Sequence, residues 1–265
     1  MSDETVPVFS EPLPQINRIK ADRPWVWLAK GWSDLRAAPS VGIGYAAIFT
    51  ICGFVLLAVI WSFESFYAVL PLTGGFLLLA PVLAVGLYET SRRLEEGEPV
   101  SMRLALTAWT RNFGQITLMG VALLLLFIAW MRLAFLIFML FFADNPPNPE
   151  TFVNDVFFSA SSIPFLLTGT IVGAFLSVLA FAISAISVPM LMDREVNVIL
   201  AIATSVEAVR HNLWPMLVWA ALIALFTAAG LATFYFGLII TLPLIGHATW
   251  HAYRDLVAPA APPQE

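Results

Sequence analysis

The stretch from Phe113 to Phe142 reads FGQITLMGVALLLLFIAWMRLAFLIFMLFF and contains one charged residue, Arg132. A helix that crosses a bilayer needs about 20 mostly apolar residues, because each residue adds about 1.5 Å across a hydrocarbon core of about 30 Å. This stretch is long enough and apolar enough to cross. It therefore predicts a transmembrane helix and places the chain among membrane proteins.

The composition of the whole chain agrees with this prediction. Of the 265 residues, 60% are hydrophobic and only 12% are charged, whereas a soluble domain carries about 25% charged residues. So apolar a chain excludes a soluble globular protein and a disordered one. The formal net charge is -5 and there is no dense basic stripe, which argues against a nucleic-acid partner. The expected partner is the lipid bilayer, with other membrane proteins as possible further partners.

Five more apolar runs predict further transmembrane helices. The last two share one long stretch, which we divide near residues 230–236 because a single helix of that length would leave half of itself outside the bilayer. We therefore expect an all-α, polytopic membrane protein with six transmembrane helices. The predicted spans are about 41–63, 67–88, 113–142, 163–192, 213–231 and 234–252.

The domain organisation follows from these spans. Residues 1–40 are expected to be a cytoplasmic segment with an interfacial amphipathic helix, residues 41–256 the membrane domain, and residues 257–265 a disordered tail. No short apolar run with a cleavage site precedes the first span. That span is therefore expected to act as the insertion signal.

Orientation follows from the basic residues. If there are six spans, 12 of the 13 Lys and Arg residues lie on one side of the membrane, and the loops of the other side hold only acidic charges. The positive-inside rule then predicts that both termini are cytoplasmic. The twelve basic residues are Arg18, Lys20, Arg23, Lys30, Arg36, Arg92, Arg93, Arg103, Arg111, Arg194, Arg210 and Arg254.

The chain also shows signs of an internal repeat. In the exits of spans two and six, a proline precedes an arginine by 11 residues, as Pro81 precedes Arg92 and Pro243 precedes Arg254. We therefore predict three repeats, each an amphipathic helix followed by a transmembrane hairpin. Related segments precede spans one, three and five: Trp32-Ser-Asp-Leu-Arg-Ala-Ala-Pro, Trp109-Thr-Arg-Asn-Phe-Gly-Gln and Val209-Arg-His-Asn-Leu-Trp-Pro.

The first amphipathic segment has a helical apolar stripe. Trp25, Leu28, Trp32 and Leu35 have the spacing of one helix face. Tryptophan on one side and basic residues on the other are typical of a helix that lies in the membrane interface. An ordinary connecting helix is the alternative.

Three residues are candidates for a polar site. His247 and His251 have i,i+4 spacing and could share one helix face as metal or haem ligands, but no third ligand has a supporting motif. Arg132 lies near the outer boundary of its span, where the guanidinium can extend outward or bind a ligand. We predict no metal and no cofactor.

The sequence contains no other pattern that is typical of a catalytic site. There is no His-Glu-x-x-His motif, no Walker loop and no Gly-x-Gly-x-x-Gly. Glu95 and Glu96 are expected in a solvated loop, and the lone Cys52 is expected to be a buried, inert thiol. No catalytic residue is assigned, and the chain is more consistent with a non-enzyme than with an enzyme.

Three stretches carry a resemblance to a known family: Gly31-Trp32-Ser-Asp, Gly74-Gly-Phe-Leu-Leu-Leu-Ala-Pro81 and Gly86-Leu-Tyr-Glu-Thr-Ser-Arg-Arg93. With them the chain resembles a family of predicted bacterial integral membrane proteins of unknown function. The resemblance implies a bacterial inner (plasma) membrane and attaches no activity. Some relatives are likened to cytochrome c oxidase subunit I, but that subunit needs six histidine ligands and this chain has only 3 histidines.

Two functions remain from the sequence. The first is a non-enzymatic scaffold, partner or assembly factor in the membrane, favoured by the interfacial segments and the bare catalytic inventory. The alternative is a small-molecule transporter or channel, favoured by Gly and Pro in the even-numbered spans. It would lack proton or sodium coupling, because no Asp, Glu or Lys lies in the middle of a span.

Overall fold

A computed structural model describes residues 14–63, 65–144, 147, 150–160 and 162–258. Within these ranges the chain is helical and contains no strand, only an isolated bridge between Ile16 and Val257. The α-helices are α1 (Arg23–Ala37), α2 (Pro39–Ser62), α3 (Val69–Leu83), α4 (Val85–Glu96), α5 (Met102–Thr107), α6 (Phe113–Phe142), α7 (Phe152–Phe157), α8 (Ser162–Ser184), α9 (Ser187–Asp193), α10 (Val198–His211), α11 (Leu213–Ala232) and α12 (Leu238–Leu256).

Five helical segments are long and apolar enough to cross a membrane: Pro39–Ser62, Val69–Glu96, Met102–Phe142, Ser162–Asp193 and Leu213–Ala232. They confirm the all-helical membrane architecture. The predicted sixth span corresponds to α12, which is not among these five in the described part of the chain. Its second half carries two histidines, Arg254 and Asp255, so its mean hydropathy is lower than that of the other spans.

Two of the membrane-spanning segments are interrupted near one end. α3 ends at Leu83 and continues as α4, and a tyrosine of α2 bridges this break. The Tyr45 hydroxyl donates to the Leu83 carbonyl at 2.9 Å and accepts from the Gly86 N–H at 3.3 Å. Backbone groups freed inside a membrane protein need such partners, because there is no water to replace them.

At the break between α8 and α9, a side-chain hydroxyl again bonds the freed backbone groups on both sides. The Ser205 hydroxyl of α10 donates to the Ala182 carbonyl at 2.8 Å and accepts from the Ile186 N–H at 3.2 Å. Pro189 lies in the first turn of α9, where its missing N–H costs no helical hydrogen bond. In an uninterrupted helix its ring would clash with the carbonyl of the preceding turn. In both cases a hydroxyl from a neighbouring helix replaces the lost helical hydrogen bond.

The buried core lies at one end of the bundle. There α1, α4, α9, α10 and the second half of α12 pack together, and we call this set of helices the base layer. Its largest fully buried side chains include Trp27, Trp250 and Tyr253. By contrast, only 17% to 39% of the apolar window of each membrane helix is buried within the chain. Most of the membrane-facing surface is therefore left for lipid or for partners.

α1 packs its length against α12. Its buried face includes Trp27, Leu28, Gly31 and Leu35. Gly31 permits the close approach, since a Cβ there would lie 2.7 Å from the Ala248 backbone nitrogen. α1 is thus a buried packing partner on one face.

The predicted apolar stripe of α1 is divided between two environments. Leu28 and Leu35 are buried within the chain, whereas Trp25 and Trp32 are 60% and 43% exposed. The two tryptophans flank the buried face, where Trp27 and Gly31 pack instead. Cys52 was expected to be buried, but it is exposed on α2, on the side that carries the exposed Ile51 and Val55.

Asp255 holds the start of α1 against the end of α12. Its carboxylate accepts from Arg23 Nε at 2.6 Å and Nη2 at 2.7 Å, and from Trp27 Nε1 at 2.7 Å. Burial alone would raise the pKa of Asp255, but the hydrogen bonds from Arg23 and Trp27 outweigh it and hold this pKa below its ordinary value.

The two ends of the described chain pair beside this contact. The Asn17 N–H donates to the Leu256 carbonyl at 2.9 Å, and the Ala258 N–H donates to the Gln15 carbonyl at 3.0 Å. Val257 is buried between them at 3% exposure. Residues 1–13 and 259–265, which make up much of the predicted terminal segments, lie outside the described residues.

The Asp255 contact predicts a pH dependence. Because the pKa of Asp255 is lowered by folding, its stabilising contribution is present above about pH 4 and is lost as pH falls through the lowered pKa. We expect Asp255→Asn to be less stable than the parent at pH 7, by about 1 kcal/mol. This difference should shrink in acid. The measurement is thermal unfolding of the purified protein in detergent between pH 3 and 7.

Asp22→Asn is the matched control, since Asp22 is exposed and adjacent to the same arginine. Its stability, measured by thermal unfolding, should equal that of the parent at every pH. A stability difference for Asp255→Asn that stays constant down to pH 3 would contradict the assignment.

Candidate functional site

The two histidines singled out by the sequence lie one turn apart on α12 and are both buried. His247 is 0% exposed and His251 is 9% exposed. The two imidazoles do not form a pair of metal ligands, because their ring nitrogens bond different side chains. Each makes its hydrogen bond to a side chain from another helix of the base layer.

Asp34 of α1 and Ser91 of α4 complete the cluster. The Asp34 Oδ2 atom accepts from the Ser91 hydroxyl at 2.7 Å and lies 2.8 Å from His251 Nε2. The Ser91 oxygen also lies 2.8 Å from His247 Nδ1. The result is a continuous chain of hydrogen bonds in the order His247, Ser91, Asp34, His251, which joins three helices.

The hydrogen-bond pattern assigns the His247 tautomer. The single Ser91 proton is used on Asp34, so His247 Nδ1 must carry the hydrogen and donate to Ser91. His247 Nε2 is then a bare acceptor, and it has no hydrogen-bond partner among the described residues. It faces Gly42 of α2, where a Cβ would lie 3.3 Å from it.

The geometry limits the chemistry that this cluster can perform. Ser91 is fully enclosed at 0% exposure, so no substrate carbonyl can reach its hydroxyl. In the part of the chain that the structure describes, no group of three or more His, Cys, Asp or Glu residues is placed to hold a metal. When His251 is protonated, its contact with Asp34 is an ion pair. The cluster can therefore hold a proton and tie three helices together.

Sequence reasoning named the two histidines but missed their partners. Asp34 and Ser91 each lie within a stretch that carries the family resemblance, Gly31-Trp32-Ser-Asp and Gly86-Leu-Tyr-Glu-Thr-Ser-Arg-Arg93. Their position in these stretches is the feature of the sequence that could have pointed to them. Nothing in their spacing along the chain indicates that α1, α4 and α12 meet.

A second polar cluster surrounds Glu89 of α4. Its side chain is 3% exposed, and its carboxylate accepts from Arg92 at 3.0 Å and from Arg93 at 2.6 Å. Arg111 approaches it to 3.6 Å. A buried charge needs such partners, because an unpaired one is strongly destabilising. This cluster fixes the end of α4 to the start of α6.

Glu95 and Glu96 are exposed, but the expected loop is wrong, because both residues are helical. Both lie in the last turn of α4, and Glu96 pairs with Arg92. Glu95 accepts from Trp250 Nε1 at 3.0 Å and forms an ion pair with Arg254 Nε at 3.3 Å. The two glutamates therefore belong to the polar contacts of the base layer.

Tyr253 links α12 to α9 in the same layer. Its hydroxyl donates to Asp193 at 2.5 Å and accepts from Arg194 Nε at 2.8 Å. Burial raises the pKa of Tyr253, and the neighbouring Asp193 carboxylate raises it further. The phenol therefore stays protonated and remains a donor.

Arg132 lies apart from these clusters. It is exposed on α6, near the end of the helix remote from Phe113. Within the described residues it forms no ion pair with Asp144 or Asp155. Its exposure is compatible with outward extension of the guanidinium, and a ligand-binding role for it remains a prediction.

Comparison with known proteins confirms the family resemblance. Residues 69–193 match the model of a family described as predicted integral membrane protein (DUF2189). The match covers the region from α3 to α9 and includes Ser91 but not the other three members of the histidine cluster. No curated protein and no solved structure matches the chain.

The histidine cluster predicts energetic coupling between α1 and α4. Ser91→Ala should destabilise the protein by about 1–3 kcal/mol, because His247 Nδ1 and Asp34 each lose a buried partner. In the double variant with Asp34→Asn the losses should be non-additive by more than about 0.5 kcal/mol. Thermal or denaturant unfolding in detergent measures both.

Thr90→Ala is the matched control, since Thr90 is equally buried on α4 but donates only to the Gly86 carbonyl of its own helix. It should show no coupling to Asp34→Asn. Simple additivity of Ser91→Ala and Asp34→Asn would refute the hydrogen-bond chain.

Proposed function

We propose that this integral membrane protein is a non-enzymatic scaffold or assembly factor that packs its outward apolar faces against other membrane proteins. The observation that carries the proposal is the division of the molecule into a packed base layer and sparsely packed membrane helices. A base layer held by its own ion pairs and hydrogen bonds can fix the directions of the membrane helices. Their outer faces remain free for a partner.

α8 offers the clearest such face. Five large apolar side chains follow each other at helical spacing along it, each 59% to 75% exposed. Helix association in a bilayer depends on close packing of such surfaces, since lipid is as apolar as the side chains. The five are Ile163, Leu167, Ile171, Phe175 and Val178.

The alternative function is a small-molecule transporter or channel without proton or sodium coupling. One observation favours it. Three buried polar atoms on α2 and α12 have no hydrogen-bond partner among the described residues: Thr50 Oγ1, Thr241 Oγ1 and His247 Nε2. Such atoms are suited to bind water or a polar solute.

We also propose six spans, with both termini in the cytoplasm of a bacterial inner membrane. In support, the first half of α12 is apolar and forms a tight hairpin with α11. A Cβ on Gly237 would lie 2.9 Å from Gly230 Cα. Phe234 and Tyr235 in the turn have φ of 52° and 69°, which few non-glycine residues adopt. The distribution of basic residues agrees with this count.

The three-unit organisation is part of the same proposal. Asn112 precedes α6, and its amide donates to the carbonyls of Arg194 and Val196, just before α10. Asn212 precedes α11, and its amide donates to the Asn17 carbonyl, just before α1. In each case an asparagine at the entry of a membrane helix binds the segment that leads into another unit.

Photocrosslinking tests the scaffold proposal. A photoreactive amino acid at Ile171 or Phe175 of α8 should give the same discrete protein adduct from both positions in native membranes. The buried neighbour Leu176, 6% exposed, is the control and should give none. Adducts with lipid alone at the exposed positions, together with solute uptake by proteoliposomes, would favour the transporter instead.

Reporter fusions test the topology. A fluorescent protein that matures only in the cytoplasm should be fluorescent when fused after Glu265. A phosphatase active only outside should be active when inserted near Asn145, a position outside the described residues. A fully expressed C-terminal fusion that is not fluorescent would contradict the proposal, because it would place the C-terminus outside the cytoplasm.

A further inference from the structure

An open pocket of about 460 Å³ lies where α6 begins, on the base-layer side of the membrane helices. Its volume falls within the range of ligand-binding pockets, about 300–1,000 Å³. The lining side chains include one cation, one anion, three amides and one aromatic ring: Arg111, Glu195, Asn112, Gln115, Asn197 and Phe113.

The two charges of the pocket do not neutralise each other. The Arg111 side chain is 42% exposed, and its guanidinium forms one ion pair, with Glu89 at 3.6 Å. Glu195 is exposed and forms no ion pair within the described residues. No ion pair joins Arg111 to Glu195 either. The pocket is therefore lined by a partly exposed guanidinium, which pairs with Glu89, and by an exposed carboxylate that has no ion-pair partner among the described residues.

The three amides are held in place and keep unused hydrogen-bonding groups. Gln115 Oε1 accepts from the Val198 N–H, and Asn197 Oδ1 accepts from the Leu200 N–H, both at 2.8 Å. Asn112 uses its amide nitrogen on backbone carbonyls. The amino groups of Gln115 and Asn197 remain as donors, and the Asn112 oxygen remains as an acceptor.

Two exposed aromatic side chains lie at the pocket or close to it in the chain, Phe113 in its lining and Trp109 in contact with Phe113. The Trp109 and Phe113 rings lie 5.0 Å apart, and these residues are 46% and 55% exposed. Aromatic side chains of this kind are typical of the membrane–water interface. Directly along α6, Leu118 and Val121 are about half exposed. A ligand in the pocket could therefore extend apolar chains along the helix.

We propose that this pocket binds the headgroup of a phospholipid that carries both a phosphate and a primary ammonium, as an ethanolamine phospholipid does. Arg111 and the amino groups of Gln115 and Asn197 bind the phosphate. Glu195 and the Asn112 oxygen accept from the ammonium. This assignment goes beyond the scaffold function and holds whether or not that function is correct.

The chemistry of the pocket disfavours other common headgroups. A choline group has no N–H to donate to Glu195 or Asn112. A glycerol headgroup brings a net negative charge close to Glu195 and Glu89 without an ammonium to compensate. The ethanolamine headgroup carries both charges, and its ammonium can donate to Glu195 and to the Asn112 oxygen.

Native mass spectrometry of the purified protein tests the proposal. Phosphatidylethanolamine, phosphatidylcholine and phosphatidylglycerol with identical acyl chains are added in equal amounts. The parent protein should retain phosphatidylethanolamine about fivefold better than either competitor, the upper end for a partly exposed ion pair. Equal retention of the three lipids would overturn the proposal. So would displacement of the lipid by an equal concentration of water-soluble phosphoethanolamine.

Glu195→Gln is the decisive variant, because Glu195 has no structural partner to lose among the described residues. It should abolish the preference for phosphatidylethanolamine and leave the thermal stability unchanged. Arg111→Gln should weaken retention of all three lipids, and Arg111→Lys should restore part of it. Glu207→Gln is the control, since Glu207 is a partly exposed glutamate of α10 that does not line the pocket. A loss of preference in this control equal to that of Glu195→Gln would refute the site.

Discussion

The contact between α1 and α12 is the constraint on which the base layer depends. Gly31 lets the two backbones approach, Trp27 fills the space beside them, and Asp255 binds both Arg23 and Trp27. The histidine cluster then adds α4 to this pair through Ser91. Because the contact joins the first helix to the last, it fixes the ends of the described chain relative to each other and holds the helices between them in order.

Polar chemistry and apolar surface are separated along the bundle axis. The buried ion pairs of Glu89 and the hydrogen bonds of Tyr253 lie in the base layer, where partners from several helices converge. Within the membrane helices, the polar groups that are freed at the two breaks receive hydroxyl partners from Tyr45 and Ser205. A bilayer imposes this separation, because an unsatisfied polar group costs more where no water can replace its partner.

Much of this architecture could be predicted from sequence. The length and hydropathy of stretches such as Phe113–Phe142 identify membrane helices without any knowledge of packing. The polar site could not be completed in the same way, because Asp34 and Ser91 reach His251 and His247 across long separations in the chain. Helical spacing placed Trp25 and Trp32 on one stripe with Leu28 and Leu35. Hydrophobicity alone does not identify which side of such a helix meets a neighbouring helix, and in the structure the two tryptophans are exposed.

The pairing of α1 with α12 has a consequence for biosynthesis. α1 precedes the membrane helices in the chain, but the helix against which its length packs is α12, which follows all of them. Before α12 has been synthesised, α1 lacks this partner, although α11 already supplies the Trp219 ring that packs against Trp27. The base layer therefore cannot be completed before α12 has been made.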